Sequence, residues 1–495
     1  MRGVVAAGHP VTAEAGAELL RAGGNAVDAA LAAMFASFAA EPLLTGLGAG
    51  GYLMIAPPGA PPVLLDFFVE APGRGRAAGA PHAPLRAVEV DFGDAVQEFN
   101  VGPSAAGAYG TVAGAATAAE RYARLPLAEL VAPAIALSRR GVEVNASQAF
   151  LFKILRPIYE STQEAQAHFM PAGRPPAEGD VHRDPALADA LERLAADGPA
   201  PFYTGDVAAA VCDWVGERGG LLTRADLAAY AAVAREPVRA AYRGRTVATN
   251  PPPNAGGILL ALALALLDRA PSPPVIGALV DAMEAAQGER TPAFLEALAE
   301  PGFGATFMAG RLGATTHIST MDADGWACAV TCTNGEGCGV IVPGTGIHLN
   351  NMMGEQDLSP FGYFTHPPGR RLPSMMAPTL VLGDRPGDPP RLALGSAGSN
   401  RIRSAILQIV VGVVDRGLDI QAAIEAPRVH VEEGIVYVEP GLDIAGLEAE
   451  ERTIVRFTAP NLFFGGAQAV GRDAATGELA GGCDPRRGGA VAVAG

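Results

Sequence analysis

The sequence predicts a layered α/β protein in which buried β-sheets lie between layers of helices. Three observations support this prediction. The 495 residues are 49% hydrophobic and 18% charged, which is typical of a globular protein and not of a disordered one. Segments with helical spacing and segments with strand spacing of apolar residues follow one another in the order helices, strands, helices, strands. The chain is also longer than one ordinary domain core and shows no internal repeat.

Helices are predicted where alanine and leucine recur at intervals of three and four residues. Residues 10–42 predict two such helices, separated by Gly23 and Gly24, and the interval from about 112 to 235 is mostly helical. Later helices are predicted at 258–270, 275–287, 401–416 and 419–426. Both helical stretches are long, so each can cover one face of a sheet.

Strands are predicted where apolar residues alternate with polar ones or run continuously between turn residues. A glycine loop leads into the strand "YLMIA", which a Pro/Gly turn joins to "PPVLLDFF". Strand character returns at 237–249 and dominates after residue 315. The strands therefore fall into two groups, one before and one after the second helical stretch.

The charge and the cysteines argue against several kinds of function. A net charge of −16 without a basic stripe argues against nucleic-acid binding, which depends on neutralising phosphates. Five cysteines in so long a chain do not suggest a disulfide framework. Cys328 and Cys332 have the spacing of one buried strand face, and the chain contains no C-x-x-C, so no metal site is predicted.

The apolar segments do not predict a membrane protein. The N-terminus "MRGVVAAGHPVTAEAG" lacks the apolar segment of a signal peptide. The runs 26–44 and 257–267 are interrupted by charge or too short to span a bilayer. We therefore expect no membrane partner and a cytoplasmic location, or a periplasmic or secreted one if the start is already processed.

Two alternating segments around residue 320 predict a β-hairpin that carries a candidate nucleophile. "TTHISTM" and "WACAVTCT" flank the turn sequence Asp322–Gly325, so the pairing returns Thr333 or Asn334 beside Thr315. A threonine hydroxyl needs a nearby base to become a nucleophile. Cleavage before Thr315 would supply one, because an α-amine titrates near ~8. Ordinary β-strand sequence is the alternative interpretation of the threonine pair.

Several long motifs occur in one order along nearly the whole chain. They include "GGNAVDAALAA", "GLGAGGY", "FYTGD", "PPPNAGG", "TTHIST", "VPGTGIHLNN", "GSAGSNRI" and "DPRRGG". Together they resemble the γ-glutamyltranspeptidase family of N-terminal-nucleophile (Ntn) hydrolases. The resemblance implies a four-layer αββα sandwich without a cofactor or metal. It also implies self-cleavage between Ala314 and Thr315, giving a heterodimer of fragments 1–314 and 315–495 whose further oligomerisation stays open.

The resemblance also implies roles for individual residues. Thr315 would be the nucleophile, through an acyl-enzyme, with its own α-amine as base and with Thr333 orienting its hydroxyl. The backbone N–H groups of Gly398 and Ser399 would form an oxyanion hole, and such donors lower a barrier by roughly 3–4 kcal/mol each. The positions that match the substrate pocket are Phe68, Asn334, Asn350, Glu355, Ser374 and Met375.

The substrate pocket departs from the family pattern at two of these positions. Phe68 stands where the family has an arginine that binds the substrate carboxylate, and Met375 replaces the second of two serines. Arg74, a few residues further on, could reach into the pocket instead. Glu355 retains the acidic group that holds the substrate amine, and Asn334 stands in for the family's asparagine.

The catalytic residues therefore match the family better than the substrate clamp does. We expect an enzyme that cleaves a small amide, with a γ-glutamyl or related acyl group, and transfers the acyl group to water or an amine. One alternative is an acylase for a glutaryl- or oxamate-type amide. The other is an unprocessed, non-catalytic binding or scaffold homologue.

Two weaker patterns are interpreted as structural. Gly46–Gly51 satisfies G-x-G-x-x-G, but the strand follows the loop instead of preceding it, so nucleotide binding is not predicted. His317 shares a strand face with Thr315 and could serve as a base. Since the α-amine would already fill that role, we predict a structural histidine with satisfied hydrogen bonds.

Overall fold

The computed structural model describes residues 1–77, 79–91, 96–289, 316–359, 362–398, 400–432, 434–448 and 452–495. Its strands, numbered along the chain, are β1 (Gly3–Ala7), β2 (Gly50–Ala56), β3 (Val63–Phe67), β4 (Arg86–Asp91), β5 (Val96–Val101), β6 (Val142–Glu143), β7 (Val181–His182), β8 (Val233–Arg235), β9 (Val238–Tyr242), β10 (Arg245–Thr249), β11 (Thr316–Asp322), β12 (Ala327–Thr333), β13 (Ile341–Val342), β14 (Ile347–His348), β15 (Thr379–Val381), β16 (Leu392–Ala397), β17 (Val429–Glu432), β18 (Ile435–Val438), β19 (Thr453–Arg456), β20 (Gly466–Arg472), β21 (Leu479–Cys483) and β22 (Ala490–Ala494).

The described α-helices follow the same numbering. They are α1 (Pro10–Arg21), α2 (Ala26–Ala40), α3 (Thr111–Tyr122), α4 (Leu127–Arg140), α5 (Ala146–Ile154), α6 (Arg156–Tyr159), α7 (Gln163–Phe169), α8 (Pro185–Asp197), α9 (Ala200–Tyr203), α10 (Asp206–Glu217), α11 (Arg224–Ala229), α12 (Gly256–Asp268), α13 (Ile276–Gly288), α14 (Arg401–Val414), α15 (Ile420–Glu425) and α16 (Ala445–Glu448). In the part of the chain that the structure describes, no helix is both long and apolar enough to cross a membrane.

Two antiparallel sheets form the centre of the fold. The first has the strand order β22–β1–β11–β12–β2–β3–β8, and the second has the order β21–β20–β16–β15–β10–β9. Strand β11 contacts β16 and β20, and β1 contacts β21, so the sheets face each other. Helices α1 and α2 cover the outer face of the first sheet, while α12 and α14 cover that of the second. The predicted four-layer αββα sandwich is therefore confirmed.

Helix α2 is buried along its whole length, which explains its apolar sequence. All of its residues are shielded from solvent between the first sheet and helices α1 and α4. Its start is a capping box, because the Asn25 side chain accepts hydrogen bonds from the backbone of Val27 (2.8 Å) and Asp28 (3.1 Å), and the Asp28 carboxylate accepts one from the backbone of Asn25 (2.7 Å). The helix therefore begins at a defined residue. Its C-terminal end lies at the site described below.

The β11–β12 hairpin predicted from the alternating segments is present. Thr316 lies opposite Cys332 and Met321 opposite Ala327, and the turn residues Asp322–Gly325 connect the two strands. Thr316 and Thr320 point toward α2, where the Thr320 hydroxyl donates to the carbonyl of Ala26 (2.7 Å). The side chains of His317 and Ser319 face the second sheet, where Ser319 donates to the carbonyl of Gln468 (3.2 Å). The two faces of β11 therefore meet different layers, as the alternation predicts.

The two predicted fragments share both sheets. In the first sheet, β1, β2, β3 and β8 precede residue 315 and β11, β12 and β22 follow it; in the second sheet, β9 and β10 precede it and the other strands follow it. Strands from both sides of residue 315 therefore contribute to each sheet. Ala314 and Thr315 lie outside the described residues, so the division of the chain between them stays a prediction.

A substitution at Phe35 would test how much the burial of helix α2 contributes to the stability of the protein. Its ring is fully buried in α2 and packs edge-on against Phe38, with the ring centroids 5.7 Å apart. Phe35→Ala should lower the free energy of unfolding by about 3–5 kcal/mol, because it leaves a cavity that the rigid sheet cannot fill. Val493→Ala, at a side chain that is 49% exposed, should change it by less than about 0.5 kcal/mol. Chemical denaturation measures both variants, and equal losses would contradict the packing described here.

Candidate active site

Strand β11 begins and strand β12 ends at the same edge of the first sheet. Thr316 is the first residue of β11, and Thr333, the last residue of β12, lies opposite Gly50 of β2. The Thr333 hydroxyl oxygen accepts a hydrogen bond from the backbone N–H of Gly335 (2.7 Å), which fixes its position. The predicted nucleophile Thr315 lies outside the described residues, and its role stays a prediction.

Gly398 follows β16 at the facing edge of the second sheet. Its φ of +113° belongs to the region that favours glycine. A Cβ atom there would also lie 2.8 Å from Cα of Gly465 and 3.2 Å from Nη2 of Arg487. Only glycine therefore fits this position. Ser399, the other member of the predicted oxyanion hole, lies outside the described residues, and the role of both N–H groups stays a prediction.

Glu41 is a site residue that the sequence analysis missed. It directly follows α2 and is only 3% exposed, and its carboxylate accepts a hydrogen bond from the Thr316 hydroxyl (3.1 Å). Burial raises the pKa of Glu41 to about 7, against the lowering effects of Thr316 and the charge of Arg487. The second carboxylate oxygen is buried without a partner. The one signal in the sequence was an acidic residue at the end of a long apolar helix.

A small cavity lies between the two sheet edges. Thr316 lines it from the first sheet and Ala397 from the second, while Glu41 and Arg487 contribute charged groups. Leu44, Leu151 and Leu462 make much of the remaining wall apolar. Such a concave, partly apolar space with few polar groups is typical of small-molecule sites. Its walls include the chain neighbours of both the predicted nucleophile and the predicted oxyanion hole.

The loop after Thr333 brings two carboxyl groups together. Glu336, which the sequence analysis did not single out, lies beside Glu355. Burial raises the pKa of both groups, and the charge of Glu336 raises that of Glu355 further. Both carboxyls are therefore shifted toward their neutral forms. Asn334 lies at the start of this loop, where its amide nitrogen is 3.3 Å from Nδ1 of His348 and its side-chain oxygen is buried without a partner.

Asn350 holds backbone segments together. Its side-chain oxygen accepts from the backbone N–H groups of Gly107 (3.0 Å) and Met352 (3.2 Å). Its side-chain nitrogen donates to the carbonyls of Gly48 (2.9 Å) and Gly107 (3.2 Å). These four hydrogen bonds use the whole capacity of the amide. Asn350 therefore positions the loop at Gly48, and its predicted contact with substrate stays a prediction.

Ser374 and Met375 pack against the start of α12. The Ser374 hydroxyl accepts from the backbone of Met376 (3.1 Å), and its carbonyl accepts from the backbone of Gly256 (3.0 Å). A Cβ atom at Gly256 would lie 2.0 Å from the Met375 carbonyl oxygen, so the two backbones approach closely. Met375 is fully buried. Neither residue lines the cavity beside Thr316, and their predicted contact with substrate stays a prediction.

Phe68 is a core residue. Its ring is 1% exposed and stacks on Tyr52, with centroids 5.5 Å apart and 21° between the planes. Arg74, the predicted substitute for the missing arginine, pairs instead with Glu70 (3.0 Å). Arg371 also contacts Glu70 (3.2 Å). Arg74 and Arg371 are thus paired with a carboxylate of the protein. Neither is free to bind a substrate carboxylate on this side of the site.

His317 has the structural role predicted for it. Its ring nitrogens lie 2.8 Å from the hydroxyl of Thr331 and 2.9 Å from that of Ser319. Burial lowers the pKa of His317 to about 3, so the ring is neutral near neutral pH. Within the described ranges, no group of three or more His, Cys, Asp or Glu side chains is placed to hold a metal ion.

Glu41 should make stability depend on pH. Its folded-state pKa of about 7 lies above the 4.5 of an ordinary glutamate carboxyl, so the folded protein holds this proton more tightly than the unfolded chain does. Between these two pH values the folded state should lose up to about 3 kcal/mol relative to Glu41→Gln as pH rises. Glutamine keeps an acceptor for the Thr316 hydroxyl and does not titrate. Unfolding free energies measured from pH 4 to pH 8 test this, and parallel curves for the two proteins would contradict it.

Comparisons with known proteins agree with this geometry. The family model described as gamma-glutamyltranspeptidase matches residues 12–494. The acylase ACY 1 proenzyme of Pseudomonas sp. (strain SE83) is 32% identical over 486 residues, covering 90% of this chain and 86% of the relative. The glutathione hydrolase proenzyme of Escherichia coli (strain K12) is 31% identical over 542 residues, covering 98% and 90%.

A solved structure extends the similarity to three dimensions. Cephalosporin acylase from Bacillus halodurans superimposes with a TM-score of 0.84 at 28% identity, over 99% of this chain and 96% of that one. Both the family model and the curated relatives cover most of the chain. The chain is therefore an enzyme with the Ntn-hydrolase fold, and it belongs to the γ-glutamyltranspeptidase family.

Proposed function

We propose that the chain is a self-processing amidohydrolase or acyltransferase that uses Thr315 as its nucleophile. The observation that carries this proposal is the cavity between the sheet edges, which Thr316 and Ala397 both line. Thr315 and Gly398 are bonded to these two residues, so each α-carbon lies about 3.8 Å from that of its neighbour. A hydroxyl nucleophile and a backbone N–H donor can thus approach one bound carbonyl group from opposite sheets.

The proposed reaction proceeds in two steps. The Thr315 oxygen forms a bond to the carbonyl carbon, its proton passes to the α-amine of the same residue, and the oxyanion is held by the N–H groups at Gly398 and Ser399. The C–N bond then breaks, and the leaving amine takes the proton from the α-ammonium. Water or another amine attacks the resulting ester by the reverse sequence. Thr333 would hold the nucleophile's hydroxyl, since its own oxygen is fixed by Gly335.

Self-processing is the first test. The purified wild-type protein should consist of two chains, the smaller one beginning Thr-Thr-His, because the same hydroxyl can attack the preceding peptide bond. Thr315→Ala should remain one chain of full length, since it has no hydroxyl. Intact mass and N-terminal sequencing distinguish these states.

Thr315→Ser is the matched control, because serine retains the hydroxyl and the variant should still be cleaved. Cleavage of Thr315→Ala between residues 314 and 315 would show that the mechanism is wrong. A wild-type chain that stays uncut after long incubation would favour the alternative of a non-catalytic scaffold protein.

The site favours an acyl group without an α-ammonium, as in the acylase alternative. Glu355, the residue expected to bind the substrate amine, is buried beside Glu336, and burial and that neighbouring carboxyl raise its pKa well above the usual value of a glutamate, which favours the neutral form. The positive charges of Arg401 and Arg487 act on Glu336. An ammonium group placed there would be buried without a full counter-charge, which is costly. Two of the similar proteins named above are acylases, which agrees with this preference.

The acyl preference can be measured directly. The kcat/KM for glutaryl-p-nitroanilide should exceed that for γ-glutamyl-p-nitroanilide by at least about tenfold, a difference equivalent to about 1.4 kcal/mol. The two substrates differ only in the α-amine, so the ratio reports the cost of placing it. Equal values, or faster turnover of the γ-glutamyl substrate, would contradict the acylase alternative and restore γ-glutamyl specificity.

A further inference from the structure

Arg487 is a buried cation that the protein leaves without a partner. Among the described residues, its guanidinium makes no hydrogen bond or ion pair, and its Nε is shielded from solvent. Burial and the nearby charge of Arg401 lower the pKa of Arg487 to about 10, so it remains charged at neutral pH. A buried charge is stable only when an opposite charge or hydrogen-bonding groups compensate it. The protein alone does not provide that compensation.

The preceding residue, Arg486, shows how this protein compensates the charge of an arginine with a structural role. Arg486 pairs with Glu439 (2.5 Å) and with Asp484 (3.1 Å). Arg428, from the other side, also pairs with Asp484 (2.7 Å). The nearest acidic groups are thus committed to these two arginines. Arg487 lines the cavity beside Thr316, as Arg486 does, but among the described residues it has no ion pair of its own.

The fold makes room for this side chain with two glycines. A Cβ atom at Gly466 would lie 2.3 Å from Cδ of Arg487, and one at Gly398 would lie 3.2 Å from Nη2. A side chain at Gly466 would collide with the aliphatic part of Arg487, and one at Gly398 would press on its guanidinium. The two glycines therefore leave the space that Arg487 occupies beside Gly398.

The carboxyl groups around the cavity do not neutralise Arg487. Asp484, Glu41 and Glu336 each raise the pKa of Arg487, but none of these three carboxylates forms an ion pair with its guanidinium. Burial raises the pKa of Glu41 and of Glu336 to about 7, which leaves each of them partly protonated at neutral pH. The space between Glu41 and Arg487 can therefore accept an anion, with the protonated carboxyl as a second donor.

We propose that Arg487 binds a carboxylate carried by the acyl group of the substrate. This inference rests on the proposed function and names the substrate class of the same site, the monoamides of dicarboxylic acids. The planar guanidinium matches a carboxylate in geometry and charge. Of the described residues near the family's position, Phe68 is packed in the core and Arg74 and Arg371 are paired with Glu70, so none of these three offers a free carboxylate clamp. Arg487 is thus the described arginine that can bind the substrate carboxylate.

The test compares two substrates that differ only in the charged group. Glutaryl-p-nitroanilide carries a terminal carboxylate, and pentanoyl-p-nitroanilide carries a methyl group in its place. Arg487→Met should lower kcat/KM for the glutaryl substrate by at least about tenfold, the usual loss for a hydrogen bond to a charged group. It should change kcat/KM for the pentanoyl substrate by less than about threefold. Arg487→Lys should recover part of the difference, since it keeps the charge.

Two controls separate binding from other effects. Arg139→Met, which removes an exposed arginine paired with Asp189 and Glu192 on α8, should leave both substrates unchanged. Intact mass of each preparation shows whether the chain has been cleaved. An equal loss for both substrates would overturn the proposal, because Arg487 would then act on the reacting carbonyl or on the fold.

Two further outcomes also overturn it. The first is an unchanged ratio of the two kcat/KM values in Arg487→Met. The second is a selective loss with pentanoyl-3-carboxy-4-nitroanilide, which would place the carboxylate on the leaving amine and not on the acyl group.

Binding without turnover tests the subsite independently of the catalytic mechanism. Calorimetry should show that glutarate binds the wild-type protein, that pentanoate binds at least tenfold more weakly, and that Arg487→Met removes the difference. If the wild-type chain is uncut or inactive but still shows this pattern, the proposed function has failed and the carboxylate subsite stands. If glutarate binds both proteins equally, the subsite is wrong whatever the chain catalyses.

Discussion

The antiparallel pairing of β11 with β12 is the interaction on which the rest of the structure depends. β1 pairs with one side of this hairpin and β2 with the other, so strands from the start of the chain hold strands from beyond its middle. The register also assigns each face of β11 to its own polar partners, Ala26 and Glu41 toward the helices and Gln468 toward the second sheet. A slip of one residue would exchange the faces and leave these groups unpaired.

This pairing also explains why the polar groups of the site collect at one edge. β11 begins and β12 ends there, α2 ends beside them at Glu41, and β16 leads into Gly398 on the facing sheet. The ends of strands and helices, and the loops that follow them, can carry polar groups that would be too costly to bury in the core. The interior of the sandwich can therefore remain apolar while its edge holds a cavity with charged walls.

The charged groups of this edge are shifted toward their neutral forms. Burial raises the pKa of Glu41, Glu336 and Glu355 and lowers that of Arg487. Clusters of this kind are common at functional sites, where a bound charge alters the protonation of its neighbours. The net charge of these side chains is thus smaller than it would be if every acidic and basic group were ionised. A charged substrate group would change the protonation of the acids around it.

Much of the fold followed from local sequence patterns, and part of the site did not. The Asp322–Gly325 turn and the two faces of β11 were predictable because turn chemistry and alternation act between near neighbours. The αββα arrangement required the family motifs, since periodicity alone reveals helices and strands but not which sheets they cover. The backbone contacts of Asn350 could not be predicted, because a motif shows where an amide lies and not which backbone groups it contacts.

By itself, the sequence determined the family, the hairpin and the position of the candidate nucleophile, all of which are encoded in residues close together in the chain. Only the tertiary structure decided that Glu41, Thr316 and Arg487 share one cavity. It also decided that Glu336 lies beside Glu355. These residues come from separate helices, strands and loops, and their distances depend on how the two sheets pack. No local pattern contains that information, because burial and charge compensation arise only when distant segments are brought together.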